Sequence, residues 1–305
     1  MTYKNLKDLI KKKHLLVYTM SKIMCLMGIS NHTIFELQVK QRVYKMLEKK
    51  YYYLIKDRKI PNDFEYEKSD KVFGCWMQGY ENAPLTIQNG YNSFKKFLPD
   101  RDIIFITEDN MSDYVNFPDY IIEKWKKGII SNTHFADLLR AELISKYGGI
   151  WCDYTAQCIG DFPEYMTDSP LFVFNNINRG DETIVASSWY LSACKNNYII
   201  TAVRDMLLEY WKRENVAYHY LIYHMFFTMA CKHFNEEWEK VTFASNINPH
   251  IIQWKEATKP FDMKRFNEIK AICPIQKLSN KMFLPEDITG TFYDVLVNKR
   301  DEYNI

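Results

Sequence analysis

Three side chains at fixed spacing in Ser131–Gln157 could do chemistry together: Asp137, Arg140 and Asp153. Asp137 and Arg140 lie three residues apart in a stretch with helical spacing of apolar residues, so they project from one face of a helix. Their neighbours there are small or apolar, and a carboxylate and a guanidinium in such surroundings need a partner that a ligand could supply. Asp153 follows the apolar run 149–152, at the carboxyl end of a predicted strand, where α/β sheets bind ligands.

The helix that carries this pair has clear end signals. Ser131 or Asn132 can cap its start, and Gly148 suits the left-handed residue that ends a helix. The residues alone leave structural alternatives open. Asp137 and Arg140 could form a helix salt bridge of a few tenths of a kcal/mol, and Asp153 could cap a turn after its strand.

Composition limits the class of protein. The chain has 305 residues, of which 47% are hydrophobic and 26% charged, which fits one large globular domain or one domain with an appendage. Its seven cysteines form no C-x-x-C pair. Their number and scatter favour reduced thiols in a cytoplasmic protein, and a structural zinc site is not expected.

Charge is concentrated in the first part of the chain. Residues 1–60 contain 14 Lys and Arg against 4 Asp and Glu, whereas residues 61–305 contain 26 against 34. Residues 1–68 therefore predict a basic, amphipathic helical arm. Its longest apolar stretch is too short for a comfortable membrane span, so we expect either an arm lying on an anionic membrane surface, at the inner face of the cell membrane, or a helical layer on the main domain. Nucleic-acid binding is not expected, because the rest of the chain is acidic.

Beyond residue 68 the pattern alternates between strands and helices. This predicts an α/β domain over residues 69–285 with a mostly parallel sheet and helices on both faces, followed by a tail or lid at 286–305. Predicted strands are 71–77, 102–107, 170–175 and 184–190. Predicted helices are 84–98, 118–127, 198–212 and 217–234.

Familiar catalytic motifs do not occur in the sequence. Phosphate-binding, dinucleotide-binding and hydrolase-elbow patterns are all missing. His219 and His224 lie in an aromatic helical stretch and are interpreted as core or surface residues, while His134 lies beside the polar face of the helix that carries Asp137.

The ordered motifs of residues 70–285 resemble capsular polysaccharide synthesis-type glycosyltransferases. This group is similar to the DXD sugar transferases (family 32-like), which include yeast mannosyltransferases and glucosylating clostridial toxins. The stretches that carry the resemblance are 73–79, 92–94, 106–110, 118–121, 127–157 and 275–281.

The resemblance implies a GT-A-like (Rossmann-like) nucleotide-sugar-binding domain. Asp137 and Arg140 would bind the donor sugar, and Asp153 would act near the ribose and a metal ion. The other implied substrate-binding residues are Trp76, Gln78, Asn132, His134, Lys277 and Lys281. Trp76 would lie near the base, and the two lysines would supply positive charge to the leaving diphosphate.

Position 155 departs from the motif of the classical relatives. They have a second aspartate there, whereas this chain has Thr155, and a hydroxyl is a much poorer ligand for Mn²⁺ or Mg²⁺ than a carboxylate. The resemblance still implies a metal ion held by Asp153 and Thr155, with diphosphate oxygens and water completing its shell.

The function that the resemblance implies is retaining transfer of a hexose from a nucleoside diphosphate sugar, with UDP-hexose favoured. The acceptor would be a surface polysaccharide or a lipid-linked oligosaccharide. Two alternatives stay open: a catalytically silent sugar-nucleotide or glycan-binding protein, and a toxin-like enzyme that glycosylates proteins.

Overall fold

The fold is described from a computed structural model of the chain. It describes residues 10–11, 18–20, 23, 32–61, 64–177, 181–279, 282–303 and 305. Most of residues 1–31, the first part of the predicted basic arm, therefore lies outside the described residues, and so does Lys281.

A five-stranded sheet forms the centre of the domain, in the order β2-β1-β3-β6-β5. Strand β1 runs parallel to β2 and β3, and only β6 runs antiparallel to its neighbours β3 and β5. Four of the five strands thus point the same way. A separate antiparallel pair joins β4 to β7. The described strands are β1 (Lys71–Cys75), β2 (Asp102–Ile106), β3 (Gly149–Cys152), β4 (Ala156–Cys158), β5 (Leu171–Asn175), β6 (Ala186–Ala193) and β7 (Ile275–Lys277).

Helices cover both faces of this sheet and continue into the C-terminal part. The described α-helices are α1 (His32–Tyr51), α2 (Leu85–Phe97), α3 (Met111–Tyr114), α4 (Asp119–Lys126), α5 (Asn132–Tyr147), α6 (Glu164–Thr167), α7 (Tyr198–Arg213), α8 (Ile222–His233), α9 (Asn235–Trp238), α10 (Met263–Ile272) and α11 (Phe292–Asn298). Two 3₁₀ turns, Tyr52–Leu54 and Asn248–His250, and a π-helical turn, Ile252–Glu256, complete them.

The two faces of the sheet bury different clusters, because successive side chains of a strand point to opposite sides. Phe73 and Trp151 belong to the larger cluster, which also contains buried residues of α1, α5, α7 and α8. Their chain neighbours Val72 and Ile150 belong to a second cluster, together with Phe94 of α2. The sheet is therefore sandwiched between helical layers.

Helix α1 is part of this packing. Its Val43, Leu47 and Tyr51 are fully buried in the larger cluster, and Lys50 forms an ion pair with Glu214, which follows α7. The C-terminal residues pack as well: Leu296 of α11 lies in a third buried cluster that includes residues of α10. The boundaries 1–68, 69–285 and 286–305 stay a prediction.

The predicted α/β class with a mostly parallel central sheet is confirmed. Each predicted strand and helix has a counterpart within a few residues of its expected ends. The largest difference is α8, which begins at Ile222 and not at residue 217, because residues 217–221 form bends and turns. Strands β4 and β7 have only three residues each, and the sequence pattern did not predict them.

Candidate functional site

Helix α5 and strand β3 are set by local sequence. Ser131 is the N-cap, and its Oγ accepts a hydrogen bond from the backbone N–H of His134 at 3.4 Å. Gly148 ends the helix at φ 67°, a positive φ that glycine adopts without steric cost. Gly149 then starts β3 at φ 91°, where a Cβ atom would lie 2.2 Å from the Lys71 carbonyl oxygen. Gly148 and Gly149 therefore set the start of β3, and with it the position of Asp153 directly after the last residue of the strand.

Asp137 and Arg140 form a buried ion pair on α5. Arg140 Nη1 donates to Asp137 Oδ1 at 2.6 Å, and the two side chains are 4% and 8% exposed. The guanidinium carbon lies 5.1 Å from the Trp151 ring centroid and 5.0 Å from that of Tyr223. Arg140 Nε is buried without a partner among the described residues.

Arg140 also reaches the carboxylate at the end of β3. Its Nη2 donates to Asp153 Oδ1 at 3.2 Å, and Trp151 Nε1 donates to the same oxygen at 3.1 Å. The Asp153 side chain is 36% exposed, whereas those of Asp137 and Arg140 are buried. Asp153 therefore presents the cluster to solvent, and Arg140 links it to the carboxylate behind it.

Lys277 approaches Asp153 from the other end of the chain. Strand β7 pairs with β4 so that Lys277 lies opposite Ala156, and the backbone N–H of Leu278 donates to the Thr155 carbonyl at 2.9 Å. The Lys277 ammonium group donates to Asp153 Oδ2 at 3.2 Å and to the hydroxyl of Thr155. The pairing of β7 with β4 thus places the Lys277 ammonium beside the turn that follows β3.

The charges shift the acid–base properties of the cluster. Burial acts to raise the pKa of Asp153, but Lys277 and Arg140, helped by the Trp151 hydrogen bond, lower it below its usual value. Burial opposes the charge of Arg140, yet Asp137 and Asp153 outweigh it and raise the pKa of the guanidinium. Asp153 is therefore ionised at neutral pH, beside the charged Arg140 guanidinium.

Helix α8 and the turn before it also line the site, which the sequence interpretation of this stretch did not predict. Tyr223 lies beside Arg140, and its hydroxyl is buried without a partner in the described structure. The half-buried His224 has an Nδ1 that also lacks a partner among the described residues. Burial is the main cause that lowers the pKa of His224 to about 4. The charge of Asp137 acts in the opposite direction, and the charge of Arg140 lowers the pKa further. Tyr220, 64% exposed, has its ring 6.1 Å from the ring of His134.

The sequence signal for these residues was weak, because an aromatic helix with two histidines is typical of a packed core. The unpartnered polar atoms identify them only once the helix is placed against α5. No motif in the stretch could have found them.

The remaining predicted site residues lie at different distances from the cluster. His134 is buried, with Nδ1 3.6 Å from Asp137 Oδ2. Trp76 follows β1, and its half-buried side chain has an Nε1 without a partner among the described residues. Gln78 is exposed in the turn after β1. Asn132 accepts a hydrogen bond from Trp125 Nε1 at 2.9 Å. Lys281 lies outside the described residues.

The donor set around Asp153 bears on the expected metal ion. The described residues contain no group of three or more His, Cys, Asp or Glu side chains placed to hold a metal ion. Asp153 offers one carboxylate, and Thr155 a neutral hydroxyl that a lysine already contacts. This set fits a cation that arrives chelated by a phosphate-bearing ligand better than a permanently held one.

Known proteins resemble this chain at three levels. Residues 25–296 match the profile of a family described as capsular polysaccharide synthesis protein. An O-glycosyltransferase, braB of Annulohypoxylon truncatum, is 34% identical over 95 residues. That alignment covers 28% of this chain and 23% of the relative, so the match spans about a quarter of that protein. The solved PaToxG glycosyltransferase structure has 16% identity and a TM-score of 0.40, over 68% of this chain and 85% of that one.

Proposed function

The chain belongs to the capsular polysaccharide synthesis protein family, and from this premise we propose that it is a glycosyltransferase that moves a hexose from a nucleoside diphosphate sugar to a carbohydrate acceptor. The observation that carries the proposal is the cluster of Asp137, Arg140, Asp153 and Lys277 at the carboxyl end of β3. It joins a buried carboxylate that can accept hydrogen bonds from sugar hydroxyls to two cations that can stabilise phosphate charge.

Asp137 and Arg140 suit the sugar of the donor. A buried carboxylate accepts hydrogen bonds from hydroxyl groups more strongly than water does, because the surroundings do not screen its charge. Arg140 fixes one oxygen of Asp137. The other, Oδ2, lies 3.6 Å from His134 Nδ1, beyond hydrogen-bond distance, and Arg140 Nε has no partner among the described residues. A ring with adjacent hydroxyls matches this mixed acceptor and donor pair.

Lys277 and Arg140 suit the leaving diphosphate. In the transfer step the bond between the anomeric carbon and the diphosphate oxygen breaks, and its electron pair stays on the diphosphate. The acceptor hydroxyl oxygen forms the new bond to the anomeric carbon, and its proton passes to a leaving-group oxygen. Preorganised cations lower the barrier because negative charge grows on the diphosphate in the transition state.

A divalent cation would also stabilise the negative charge that grows on the leaving diphosphate. Asp153 and Thr155 would hold it beside the diphosphate, as Mn²⁺ or Mg²⁺, and it would act as a Lewis acid on the phosphate oxygens. Retention of configuration, UDP-hexose as the donor and a capsular or lipid-linked acceptor are further parts of the proposal. They rest on the family resemblance.

The basic arm supports a location at the inner face of the cell membrane, where lipid-linked acceptors would be presented. Lysine-rich amphipathic segments are attracted to anionic lipids. Among the described helices, none combines the length and the apolar composition that crossing a bilayer requires.

The decisive experiment combines donor binding with turnover. Purified protein is titrated with UDP- and GDP-hexoses by thermal shift, since a bound donor stabilises the fold by mass action. Release of nucleoside diphosphate is then followed with and without glycan or glycolipid acceptors. We expect the wild type to bind a donor, to hydrolyse it slowly in water and to transfer its sugar faster when an acceptor is present. Asp153→Asn should still bind the donor but should neither hydrolyse it nor transfer its sugar.

Other results would favour the two alternatives. Binding without turnover in the presence of acceptor extract would indicate a silent sugar-nucleotide-binding protein. Transfer to protein and not to glycan or glycolipid would indicate a toxin-like enzyme. Full activity in Asp153→Asn, with donor binding unchanged, would contradict the assignment of the site.

A further inference from the structure

A second aromatic surface lies beside the cluster, on the platform segment, residues 243–256. Three of its apolar side chains are strongly exposed: Phe243 at 67%, Ile247 at 51% and Trp254 at 56%. Trp254 lies in the middle of the π-helical turn, a rare geometry that occurs frequently at functional sites. An indole held open to solvent there is unusual, because large aromatic rings usually bury most of their surface.

The exposed indole is held in place by its neighbours. Its ring stacks on the ring of His250, with centroids 4.5 Å apart and planes 19° from parallel. His250 Nδ1 donates to the Asn246 carbonyl at 2.7 Å, and Trp189 Nε1 donates to Asn246 Oδ1 at 3.0 Å. Burial, with Lys277 nearby, lowers the pKa of His250, so the ring beneath Trp254 is uncharged at neutral pH.

The same neighbours connect the platform to the transfer cluster. The Lys277 ammonium, which contacts Asp153, lies 5.4 Å from the Trp189 ring centroid. Trp189 in turn meets His250 edge to face at 5.9 Å. From Lys277 the rings therefore run through Trp189 and His250 to Trp254 without a break.

Backbone contacts fix the platform segment to the sheet. Gln276, next to Lys277, is fully buried. Its Oε1 accepts from the Ile252 N–H at 3.2 Å, and its Nε2 donates to the Asn248 carbonyl at 3.1 Å. The Asn246 N–H donates to the carbonyl of Asn175, the last residue of β5, at 2.9 Å. Because β5 points the same way as β3, the platform lies at the sheet edge that carries Asp153.

We propose that this platform, centred on Trp254, is a binding site for the carbohydrate acceptor, which lies across the indole face while its reactive end reaches the Asp153 and Lys277 cluster. The proposal rests on the proposed function, since it names where the acceptor of that reaction binds.

The chemistry of the surface favours a sugar chain. The flat face of a pyranose presents polarised C–H groups, which the electron-rich face of an indole attracts while both surfaces lose water. Amide side chains surround the rings: Asn176 Oδ1 accepts from Asn246 Nδ2 at 3.2 Å, and such groups exchange hydrogen bonds readily with hydroxyls. An indole that stacks on a hydrogen-bonded neighbour also loses little conformational entropy on binding, which favours affinity.

The test uses the full chain and short oligosaccharides of hexoses immobilised on an array. Trp254→Ala should weaken binding to the oligosaccharides that the wild type retains by about tenfold or more, and Trp254→Phe should keep most of it. Tyr165→Ala is the matched control, because Tyr165 is a 43% exposed aromatic residue in α6, packed against Phe172. Thermal melting checks that each variant is folded.

Donor binding and donor hydrolysis are measured on the same proteins, so that the two proposals fail separately. Trp254→Ala should leave UDP-hexose affinity and hydrolysis in water unchanged and raise only the KM for the acceptor. If the wild type neither binds nor hydrolyses a donor but still binds glycans through Trp254, the proposed function is contradicted and the glycan-binding site is not. The platform proposal is overturned if Trp254→Ala binds glycans like the wild type, or if the wild type binds none. It is also overturned if the substitution lowers affinity for phosphatidylglycerol vesicles and not for glycans.

Discussion

Lys277 Nζ lies 3.2 Å from Asp153 Oδ2, although 124 residues separate the two in the chain. The contact exists because β7 pairs with β4 directly after the turn that carries Asp153. The carboxylate at the end of β3 is therefore held between a cation of its own α/β core, Arg140, and one delivered by the C-terminal part. Because the backbone pairing of β4 with β7 positions Lys277, the effect of its charge on the reaction can be tested without disrupting the fold.

Replacing Lys277 should impair turnover far more than stability. The Lys277→Met variant keeps most of the side-chain volume and removes the ammonium that we propose faces the leaving diphosphate. We expect kcat for donor hydrolysis and for transfer to fall by about 10²- to 10³-fold, the usual loss for one preorganised group at a developing charge. Steady-state release of nucleoside diphosphate measures the effect.

The control for this variant is Lys264→Met, which removes an equal charge from an exposed position of α10. It should leave kcat within about twofold of the wild type, as expected for a surface charge. Equal losses in the two variants would show that overall charge, and not the position of Lys277, determines the rate.

Asp137 and Arg140 should separate binding from folding. Asp137→Asn keeps the shape of the side chain and removes its charge, so donor affinity should fall by about 10- to 100-fold. The loss of stability should be smaller than in Arg140→Ala, because Arg140 keeps Asp153 as a charged partner. Arg140→Ala removes the partner of a buried carboxylate and should lower the free energy of unfolding by about 3 to 5 kcal/mol. Calorimetric titration of donor and urea unfolding measure the two effects. The pair would lack its assigned role if Asp137→Asn bound donor like the wild type.

The sequence predicted the part of the site that is local in the chain. Asp137 and Arg140 share one helix and Asp153 ends the following strand, so helical spacing and strand position were sufficient. The N-cap needed the structure, because both Ser131 and Asn132 suit that position and only Ser131 occupies it. The alternation of strand and helix patterns beyond about residue 70 predicted the α/β class for the same reason.

The long-range part could not be predicted from periodicity. Strands β4 and β7 have three residues each, too few for an alternating pattern to show. Only the family resemblance of residues 275–281 pointed to Lys277. His224 and Trp254 gave no signal, because a histidine or a tryptophan in an apolar helical stretch resembles core until the partners of its polar atoms and its exposure are known.

His224 should make stability depend on pH. Its pKa of about 4 in the folded protein is below the ordinary value of about 6.5, so the unfolded chain binds more protons between these values. The contribution of neutral His224 is complete above about pH 6.5 and declines as pH falls toward 4, by at most about 1.4 kcal/mol per pH unit. Urea unfolding at several pH values should show this slope reduced in His224→Asn. An unchanged slope would show that other groups cause it.

The N-terminal region should divide into two functional parts. Helix α1 buries Val43, Leu47 and Tyr51 in the main core, whereas residues 1–31 are the part of the predicted basic arm that precedes α1. Deleting residues 1–31 should weaken binding to anionic vesicles, by about 1 kcal/mol for each lysine lost near the surface, and leave the melting temperature nearly unchanged. Deleting residues 1–60 should unfold the protein or strongly destabilise it. Vesicle sedimentation and thermal melting distinguish the two deletions, and unchanged vesicle affinity without residues 1–31 would contradict the membrane role.

Thr155 should control how tightly a divalent cation binds at the turn after β3. Thr155→Asp places a second carboxylate beside Asp153, where the wild-type hydroxyl contacts Lys277. A carboxylate is a much stronger ligand for Mn²⁺ than a hydroxyl, so Mn²⁺ affinity in the presence of UDP should rise by about tenfold or more. Calorimetric titration of Mn²⁺ measures this directly.

Thr155→Val is the control: it removes the hydroxyl without adding charge and should not bind Mn²⁺ more tightly than the wild type. If Thr155→Asp leaves Mn²⁺ affinity unchanged, residue 155 is not a metal ligand and the cation of this site, if the donor brings one, depends on Asp153 alone.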